Sequence, residues 1–409
     1  MSPLDGDPLS RRRFVALSAL GMAGLALPRI DDGDDVTKAD LTLYLGTYTD
    51  DGRSKGIYRA TMSRTTGALT LAGVAAEATN PSFVVSAGDG AAVYAVNEVG
   101  DVDGKPAGGA SAFARTRATG ALRALGSQET HGTYPCYASI DHTGRFLFTA
   151  NYGSGNVAMF PISRDGAIGA ASAVIQHHGT GPNKERQEGP HAHCVIPAPG
   201  NRFILVADLG IDRIMVYRFD AKAGKLGTTP AAQGVARAGA GPRHLAFGHG
   251  GRMLYVSNEL DSTVTAYRYD AGSGALTLVQ SVPAVAESGI AVAGSDTAAS
   301  AKTNETADIR VHPSGRFLYV SNRGPNSVSV FAIDKHTGML VPTQELSCGG
   351  DWPRNFAIDP SGEFLLVANQ KSDSIVTFRI DRQSGRLTDT GHRLTLPVPV
   401  CVSFAGGAS

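Results

Sequence analysis

The sequence predicts an all-β fold, because three features recur along most of its 409 residues. First, residues 241–260 read GPRHLAFGHGGRMLYVSNEL, and weaker copies that close on Asn or Asp occur before and after this stretch. Second, the copies follow one another at intervals of 54, 57, 50, 64 and 47 residues, as in a repeat array; their closing residues are Asn97, Asn151, Asp208, Asn258, Asn322 and Asn369. Third, period-two alternation bounded by Gly, Asp, Ser and Pro indicates strands, whereas helical spacing is nearly absent.

Each copy contains a short apolar run, a turn, a Gly-Arg signature followed by apolar residues, and the closing Asn or Asp. The copies occupy residues 81–97, 135–151, 193–208, 242–258, 307–322 and 353–369. A β-rich run such as Ser327–Ile333, an Asp-x-x-x-Gly turn such as residues 381–385 and another apolar stretch follow. One repeat therefore supplies four antiparallel strands, which is typical of a β-propeller blade.

The two ends of the repeat array predict a closed ring. Residues 41–48 resemble the second strand of a blade but have no first strand before them. The missing strand is available in Pro399–Phe404, which resembles the Pro-led first strand of the other copies. We therefore predict one domain at residues 41–409, a seven-bladed β-propeller whose first blade combines both termini.

The remaining residues, 1–40, are predicted to be an export signal and an acidic linker. The signal begins SRRRFV at Ser10 and continues as an apolar run to about Pro28, which is shorter than the roughly 20 residues of a membrane span. Paired arginines before Phe14 resemble the twin-arginine signal, which directs folded proteins out of the cytoplasm. A periplasmic or extracellular location follows; the alternative is an uncleaved tail.

Composition indicates neither nucleic acid nor an anionic membrane as a partner, and the sequence does not show how the cysteines would pair. With 37 basic and 37 acidic residues the net charge is +0, which gives no reason to expect nucleic acid or an anionic membrane as partner. The four cysteines, Cys136, Cys194, Cys348 and Cys401, have no zinc-type spacing. Three of them fall on predicted inner strands, which favours buried thiols over bridges.

The repeat register predicts where a site would form. Because the first two strands of a blade are antiparallel, the start of the first and the end of the second open on the same face of the ring. Slot one, nine residues before the signature Arg or its equivalent, contains Ser82, Cys136, His193, Arg243, Ala307 and Arg354. Slot two, seven residues after it, contains Glu98, Tyr152, Leu209, Glu259, Arg323 and Gln370, with Tyr48 from the first blade.

The mixture of residue types in these slots indicates function. A purely structural slot would hold similar residues in every blade, whereas these combine His, Arg, Glu and Tyr. Ionisable groups that converge on one mouth are costly unless they pair or act on a ligand. An ion pair between Arg243 and Glu259 alone is the simpler interpretation, but it leaves His193, Arg323, Arg354 and Glu98 unexplained.

Several segments are similar to one enzyme family. They are LYLGTYT at residues 43–49, GPHAHCV at 189–195, ADLGIDRI at 207–214, GPRHLAF at 241–247, SNEL at 257–260 and SNRG at 321–324. They resemble the seven-bladed lactonase family, which includes propeller-type 6-phosphogluconolactonases and carboxy-muconate lactonising enzymes. The resemblance implies an active-site cluster of His193, Glu259, Arg243 and Arg323, with His191 as a rival to His193. An insertion at residues 286–303 departs from the family pattern.

The implied reaction is opening of a sugar or related lactone by water. His193, or Glu259 as the alternative, would act as the base, while Arg243 or Arg323 stabilises the oxyanion and the other arginine grips a carboxylate or phosphate. His191, Arg354, Glu98 and Tyr152 are further candidates for binding the substrate. No G-x-S-x-G motif indicates a serine nucleophile. The predicted export favours an unphosphorylated lactone.

Other interpretations of the same residues lead to different predictions. His191 and His193 lie two residues apart, but no further ligand stands at clear spacing, so we predict no metal and no other cofactor. His177 and His178 are interpreted as solvated loop residues. A lactonising cycloisomerase and a non-catalytic propeller that binds carbohydrate or protein remain the alternative functions.

Overall fold

The computed structural model describes residues 40–101, 107–285 and 304–406. The predicted signal and linker up to residue 39, and the insertion at residues 286–303, lie outside these ranges. The described residues form seven antiparallel sheets, as predicted. Their one helical element is a 3-10 turn at His249–Gly251, and none of them forms a helix that is long and apolar enough to cross a membrane.

The strands, in chain order, are β1 (Leu41–Thr47), β2 (Gly56–Met62), β3 (Leu69–Glu77), β4 (Phe83–Ser86), β5 (Ala92–Asn97), β6 (Gly109–Arg115), β7 (Leu122–Glu129), β8 (Pro135–Ile140), β9 (Phe146–Asn151), β10 (Asn156–Pro161), β11 (Ala173–Gln176), β12 (Ala192–Pro197), β13 (Phe203–Asp208), β14 (Arg213–Asp220), β15 (Lys225–Leu226), β16 (Ala232–Val235), β17 (Pro242–Phe247), β18 (Met253–Asn258), β19 (Thr263–Tyr269), β20 (Leu276–Pro283), β21 (Glu305–Val311), β22 (Phe317–Arg323), β23 (Ser327–Ile333), β24 (Leu340–Ser347), β25 (Pro353–Ile358), β26 (Phe364–Asn369), β27 (Ser374–Ile380), β28 (Leu387–Thr395) and β29 (Pro399–Phe404).

Blades 2 to 7 follow the chain, beginning at β4, β8, β12, β17, β21 and β25, and blade 4 carries both β15 and β16 on β14. Blade 1 has the order β29-β1-β2-β3, so strands from both ends of the domain share one sheet. Leu43 lies opposite Phe404 and Leu45 lies opposite Val402 in that antiparallel pair. The predicted closure of the ring is therefore confirmed.

Contacts between blades explain the repeated signature. The buried Tyr319 on β22 donates its hydroxyl proton to the Gly385 carbonyl in the next blade at 2.8 Å, and Tyr255 does the same to Gly338. Gly385 has φ +72°, and a Cβ there would come within 2.4 Å of the Phe317 ring. The aromatic residues of one repeat thus pack on the turn glycine of the next, which only glycine accommodates.

The inner strands carry a local irregularity at slot one. In six of the blades the register between the first two strands shifts there, for example between Pro242 and His244, so that Arg243 is the extra residue. Such a bulge turns a side chain out of the regular alternation. Slot-one side chains are therefore directed differently from their neighbours in the strand.

The cysteines agree with the sequence prediction. Cys136, Cys194 and Cys401 lie on the inner strands β8, β12 and β29, and Cys348 follows β24; all four are buried and free. Burial raises the pKa of Cys194 and that of Cys401 to about 12. These thiols therefore stay protonated near neutral pH.

Ring closure generates the first testable prediction. Truncation after Val398 removes β29, with the buried side chains of Val400, Cys401, Val402 and Phe404. Each such side chain contributes roughly 1.5–3 kcal/mol, so the total rivals the free energy of unfolding of a whole domain, roughly 5–15 kcal/mol. We expect this variant to lose its cooperative thermal transition, followed by circular dichroism. Truncation after Gly406 keeps β29 and serves as the control; similar transitions in both variants would show that β29 is dispensable.

Candidate active site

Two cavities lined by described residues lie at opposite ends of the inner strands. The larger, about 1010 Å³, is lined by the last residues of these strands, such as Ile140, Ile358 and Phe404. The smaller, about 10 Å³, lies at the other end and is lined by Ser82, Cys136, Arg243, His244, Arg354 and three neighbours. Volume favours the first end, but the interacting ionisable side chains of both slots cluster at the second. We therefore assign the candidate site to the smaller cavity.

Glu259 is the centre of this site. Its Oε2 lies 2.8 Å from Arg243 Nε and 2.8 Å from Arg323 Nη2, and its Oε1 pairs with Arg186 Nη2. The Arg323 and Arg186 guanidinium groups also lie 3.5 and 3.6 Å from the carboxylate of Glu305. The ion pair that the sequence suggested between Arg243 and Glu259 exists, but it is one part of a larger buried cluster.

The charges of this cluster set the protonation states. Burial alone raises the pKa of Glu259, but Arg323, Arg243 and Arg186 together hold it well below its usual range. Burial, and then the neighbouring Arg323, lower the pKa of Arg243 to about 10, which still leaves it charged at neutral pH. Glu259 is therefore a firmly ionised carboxylate and a very weak base.

His193 lies beside the cluster in a different electrostatic state. Its ring packs edge-on against Tyr152 at 5.6 Å and lies 5.2 Å from the His244 ring, and its Nδ1 is 3.6 Å from Cys136 Sγ. Burial first, then Arg243 and His244, lower the pKa of His193 well below its ordinary value. The imidazole is consequently neutral at pH 7, and one ring nitrogen carries a free electron pair.

His191, the rival candidate, is held by the wall of the site. Its Nδ1 donates to the Tyr152 carbonyl at 2.8 Å, its ring stacks on that of Tyr152 at 4.5 Å, and its Nε2 is 3.2 Å from Glu188. Both ring nitrogens therefore have partners. This arrangement favours a structural role for His191.

The other predicted binding residues form a second group in blades 1, 2 and 7. Tyr48 donates its hydroxyl proton to Glu98 at 2.9 Å, Arg354 Nη2 lies 3.5 Å from the same carboxylate, and the Arg354 guanidinium stacks over the Tyr48 ring. Burial raises the pKa of Tyr48 well above its ordinary value, so it stays a donor. Ser82 in slot one and Gln370 in slot two also belong to blades 2 and 7. Their Oγ and Oε1 atoms are buried without a hydrogen-bond partner among the described residues.

Sequence reasoning missed two members of the site. Arg186 lies in the connection between β11 and β12, outside both slots, and Glu305 stands two residues before Ala307 on β21. Repeat register finds only positions that every blade contains, and the Arg186 loop has no counterpart in the repeat. Glu305 occupies a position equivalent to His191, so a third slot, two residues before slot one, would have found it.

The interpretation of His177 as a solvated residue was wrong. His177 is buried, and its Nδ1 lies 2.6 Å from Asp208 Oδ2, whereas His178 is exposed. Asp208 closes its repeat, and its other oxygen accepts hydrogen bonds from the backbone of His191 and Gly210. The adjacent turn thus supplies a partner that makes burial of His177 favourable.

No group of three or more His, Cys, Asp or Glu side chains within residues 40–101, 107–285 and 304–406 is arranged to hold a metal ion. His191 and His193 differ in surroundings, since one contacts Tyr152 and Glu188 and the other Cys136.

Comparison with known proteins identifies related chains. Residues 42–404 match the family described as "Lactonase, 7-bladed beta-propeller". A 6-phosphogluconolactonase from Bacillus subtilis is 34% identical over 361 residues, which cover 88% of this chain and 97% of the relative. A protein of the same name from Formosa agariphila is 31% identical and covers 78% of this chain and 86% of its own length.

Solved structures give the same result. A putative 6-phosphogluconolactonase from Bacteroides fragilis has a TM-score of 0.79 and 36% identity, covering 90% of this chain and 99% of its own. The periplasmic gluconolactonase of Pseudomonas aeruginosa has a TM-score of 0.80 and 30% identity, covering 91% of this chain and 100% of its own. The likeness therefore extends over the whole ring.

The first prediction from this site concerns Glu259. Glu259→Gln leaves three arginines without their shared counter-charge, and breaking a buried pair in this way costs about 3–5 kcal/mol. We expect that loss in the free energy of unfolding measured with urea. Glu98→Gln is the matched control: Glu98 has one arginine neighbour and a more exposed side chain, 15% against 4% for Glu259, so it should cost less. Equal losses would contradict the central role of Glu259.

The second prediction concerns pH. The pKa of His193 lies well below its ordinary value and that of His244 is lowered to about 4, chiefly by burial and next by Arg243, so the folded state keeps both neutral while the unfolded state protonates them near 6.5. Their contribution to stability is complete above about pH 6.5 and is lost as the pH falls towards 4. Urea unfolding at pH 7, 5.5 and 4.5 should show this decrease, with a shallower slope for His193→Gln. The exposed His178→Gln should retain the wild-type slope; a flat wild-type profile would contradict the assignment.

Proposed function

The chain belongs to the family of seven-bladed β-propeller lactonases, and from this premise we propose that it hydrolyses a sugar lactone at the mouth that contains His193, Glu259, Arg243 and Arg323. The observation that carries the proposal is the contrast between a neutral, buried His193 and the charged cluster beside it. A base with a free electron pair and a positive electrostatic surface are the two requirements for adding water to an ester carbonyl.

Of the two candidate bases, His193 is favoured over Glu259. Protonation of Glu259 would remove the counter-charge of three arginines, which is what holds the pKa of Glu259 so low. Protonation of His193 is also disfavoured in the empty site, because Arg243 and His244 lie close to it. However, the attack of water creates an oxyanion, and a negative charge formed near His193 stabilises the imidazolium that appears at the same time.

Arg243 is the proposed stabiliser of that oxyanion. Its Nε lies 2.8 Å from Glu259 Oε2 and its Nη1 contacts His244, whereas its Nη2 makes no hydrogen bond to the described residues. A free N–H on a guanidinium that is already fixed can meet developing charge without reorganisation. Arg323 shares Glu259 and is held further by the Glu305 and Thr306 carbonyls, so we assign it to keeping the carboxylate in place.

The charge balance favours a neutral substrate. Four arginines face three glutamates in the two connected groups: Arg186, Arg243, Arg323 and Arg354 against Glu98, Glu259 and Glu305. One excess positive charge matches the single negative charge that forms during hydrolysis of an uncharged lactone. Because we assign Arg243 to the oxyanion and Arg323 to Glu259, neither arginine is assigned to a substrate phosphate. Ser82, Glu98, Tyr48 and Gln370 offer partners for sugar hydroxyl groups instead.

A periplasmic or extracellular location is part of the proposal. It is supported by the twin-arginine-like residues before Phe14 and by the name of the Pseudomonas aeruginosa relative, a periplasmic gluconolactonase. An uncharged aldonolactone suits such a location, since phosphorylated sugars are intracellular metabolites.

The test is pH-stat hydrolysis of glucono-δ-lactone and of its 6-phosphate, with the spontaneous rate subtracted. We expect kcat/KM to be at least about tenfold higher for the neutral lactone, and His193→Gln to lower kcat by about a hundredfold or more, as removal of a general base does. His191→Gln is the matched control and should stay within about tenfold of wild type. The proposal fails if no lactone is hydrolysed, and a product with the mass of the substrate would indicate an isomerase. Loss in His191→Gln but not in His193→Gln would move the base to His191.

A further inference from the structure

A buried polar group with no place in the proposed chemistry separates the two cavities. It consists of His244 on β17, Asp308 and Arg310 on β21, and Asn355 on β25. His244 and Asp308 are 3% and 1% exposed, and the rings of Phe83 and Tyr137 pack against His244. Polar groups so deeply buried need partners, and those of Asp308 come from several blades.

Asp308 has a structural role of its own. Its Oδ1 accepts from His244 Nδ1 at 2.8 Å, and its Oδ2 accepts from Asn355 Nδ2 at 2.7 Å and lies 3.3 Å from Arg310 Nε. Asn355 in turn accepts a hydrogen bond from the Val402 backbone in blade 1. Asp308 thus joins the inner strands of blades 5, 6 and 7. A substitution of Asp308 would therefore report on the stability of the ring rather than on the chemistry of the site.

The contacts of His244 fix its tautomer. The carboxylate of Asp308 can only accept, so Nδ1 of His244 carries the proton. Nε2 lies 3.2 Å from Arg243 Nη1, and since a guanidinium only donates, Nε2 is the acceptor. His244 therefore receives a hydrogen bond from Arg243 on one side and donates one to Asp308 on the other.

We propose that His244 is a positioning residue, which holds the guanidinium of Arg243 so that its Nε faces Glu259 and its Nη2 faces the substrate. The inference rests on the proposed lactonase function. Glu259 holds one edge of the Arg243 guanidinium, but this contact alone would let the guanidinium rotate about it. The hydrogen bond to His244 Nε2 fixes a second point of the same group. A donor displaced by about 1 Å from a reacting atom can cost a hundredfold in rate, so this second point has consequences for turnover.

Two substitutions distinguish the hydrogen bond that His244 accepts at Nε2 from the one that it donates at Nδ1. The amide oxygen of His244→Gln reaches the position of Nε2 and can still accept from Arg243, whereas the amide nitrogen of His244→Asn reaches the position of Nδ1 and can still donate to Asp308. We expect His244→Asn to lower kcat at least about thirtyfold with KM within about threefold, because Arg243 acts on charge that exists only in the transition state. His244→Gln should recover at least about a third of the wild-type kcat.

A matched control exists in the connection between β11 and β12. His177 is also buried and also pairs through Nδ1 with an aspartate, Asp208, but no hydrogen bond from an arginine to it was found in the described residues. His177→Gln and His177→Asn should therefore have equal kcat values, and thermal unfolding of all four variants reports any loss of folding. Equal kcat for His244→Gln and His244→Asn, or activities that merely follow the melting temperatures, would overturn the proposal.

A second measurement does not depend on turnover. The ¹⁵N NMR spectrum of labelled imidazole should show His244 at pH 7 as the neutral tautomer with the proton on Nδ1. The His244 signal is assigned as the one that is absent from the spectrum of His244→Gln. A proton on Nε2, or an imidazolium, would overturn the positioning role even in an active enzyme. If the wild type hydrolyses no lactone, the proposed function fails and the inferred effect on catalysis fails with it, while the spectrum still decides whether His244 accepts from Arg243.

Discussion

The contact on which the site depends is the one carboxylate of Glu259 shared by three guanidinium groups. Arg243, Arg323 and Arg186 come from different parts of the ring. Arg243 and Arg323 are almost fully buried, so burial of their charges requires a counter-charge, whereas Arg186 is partly exposed. Glu259 also offsets the cost that burial imposes on the charged forms of Arg243 and Arg186, whereas burial, Arg243 and His244 lower the pKa of His193 and keep its imidazole neutral. The chemistry we propose follows from that division, with a fixed negative charge that holds positive groups and an uncharged base beside them.

The seven blades share one backbone arrangement but contribute different side chains to the site. Blades 4, 5 and 6 supply the ionic group around Glu259 and His193, whereas blades 1, 2 and 7 supply Tyr48, Glu98 and Arg354. A symmetric scaffold with seven equivalent slots allows such differentiation, because a slot residue can change without disturbing the Tyr and Phe contacts that join neighbouring blades. The contacts that join neighbouring blades thus lie at other positions of the repeat than the slot residues of the site.

Much of the fold and part of the site could be predicted from the sequence. The period, the strand alternation and the unpaired first blade specified the seven sheets and their closure, because each is a local pattern repeated many times. The same register placed His193, Arg243, Glu259 and Arg323 at one mouth, where the structure has them. The sequence could not specify Arg186, since its loop has no equivalent in other blades, nor the burial of His177, since its partner Asp208 lies in the next strand pair.

The pairing of β1 with β29 also bears on how the protein folds. Leu43 and Phe404 are neighbours in one sheet, yet all the other blades lie between them along the chain. Contacts between residues so far apart in sequence form late, and they make folding slow. The chain loses conformational entropy when its ends meet, before the contact itself stabilises the fold. Blades 2 to 7 can each form from consecutive residues as synthesis proceeds, but blade 1 must wait for its inner strand. The ring can therefore close only after β29 has been synthesised, and until then β1 exposes an open edge to other chains.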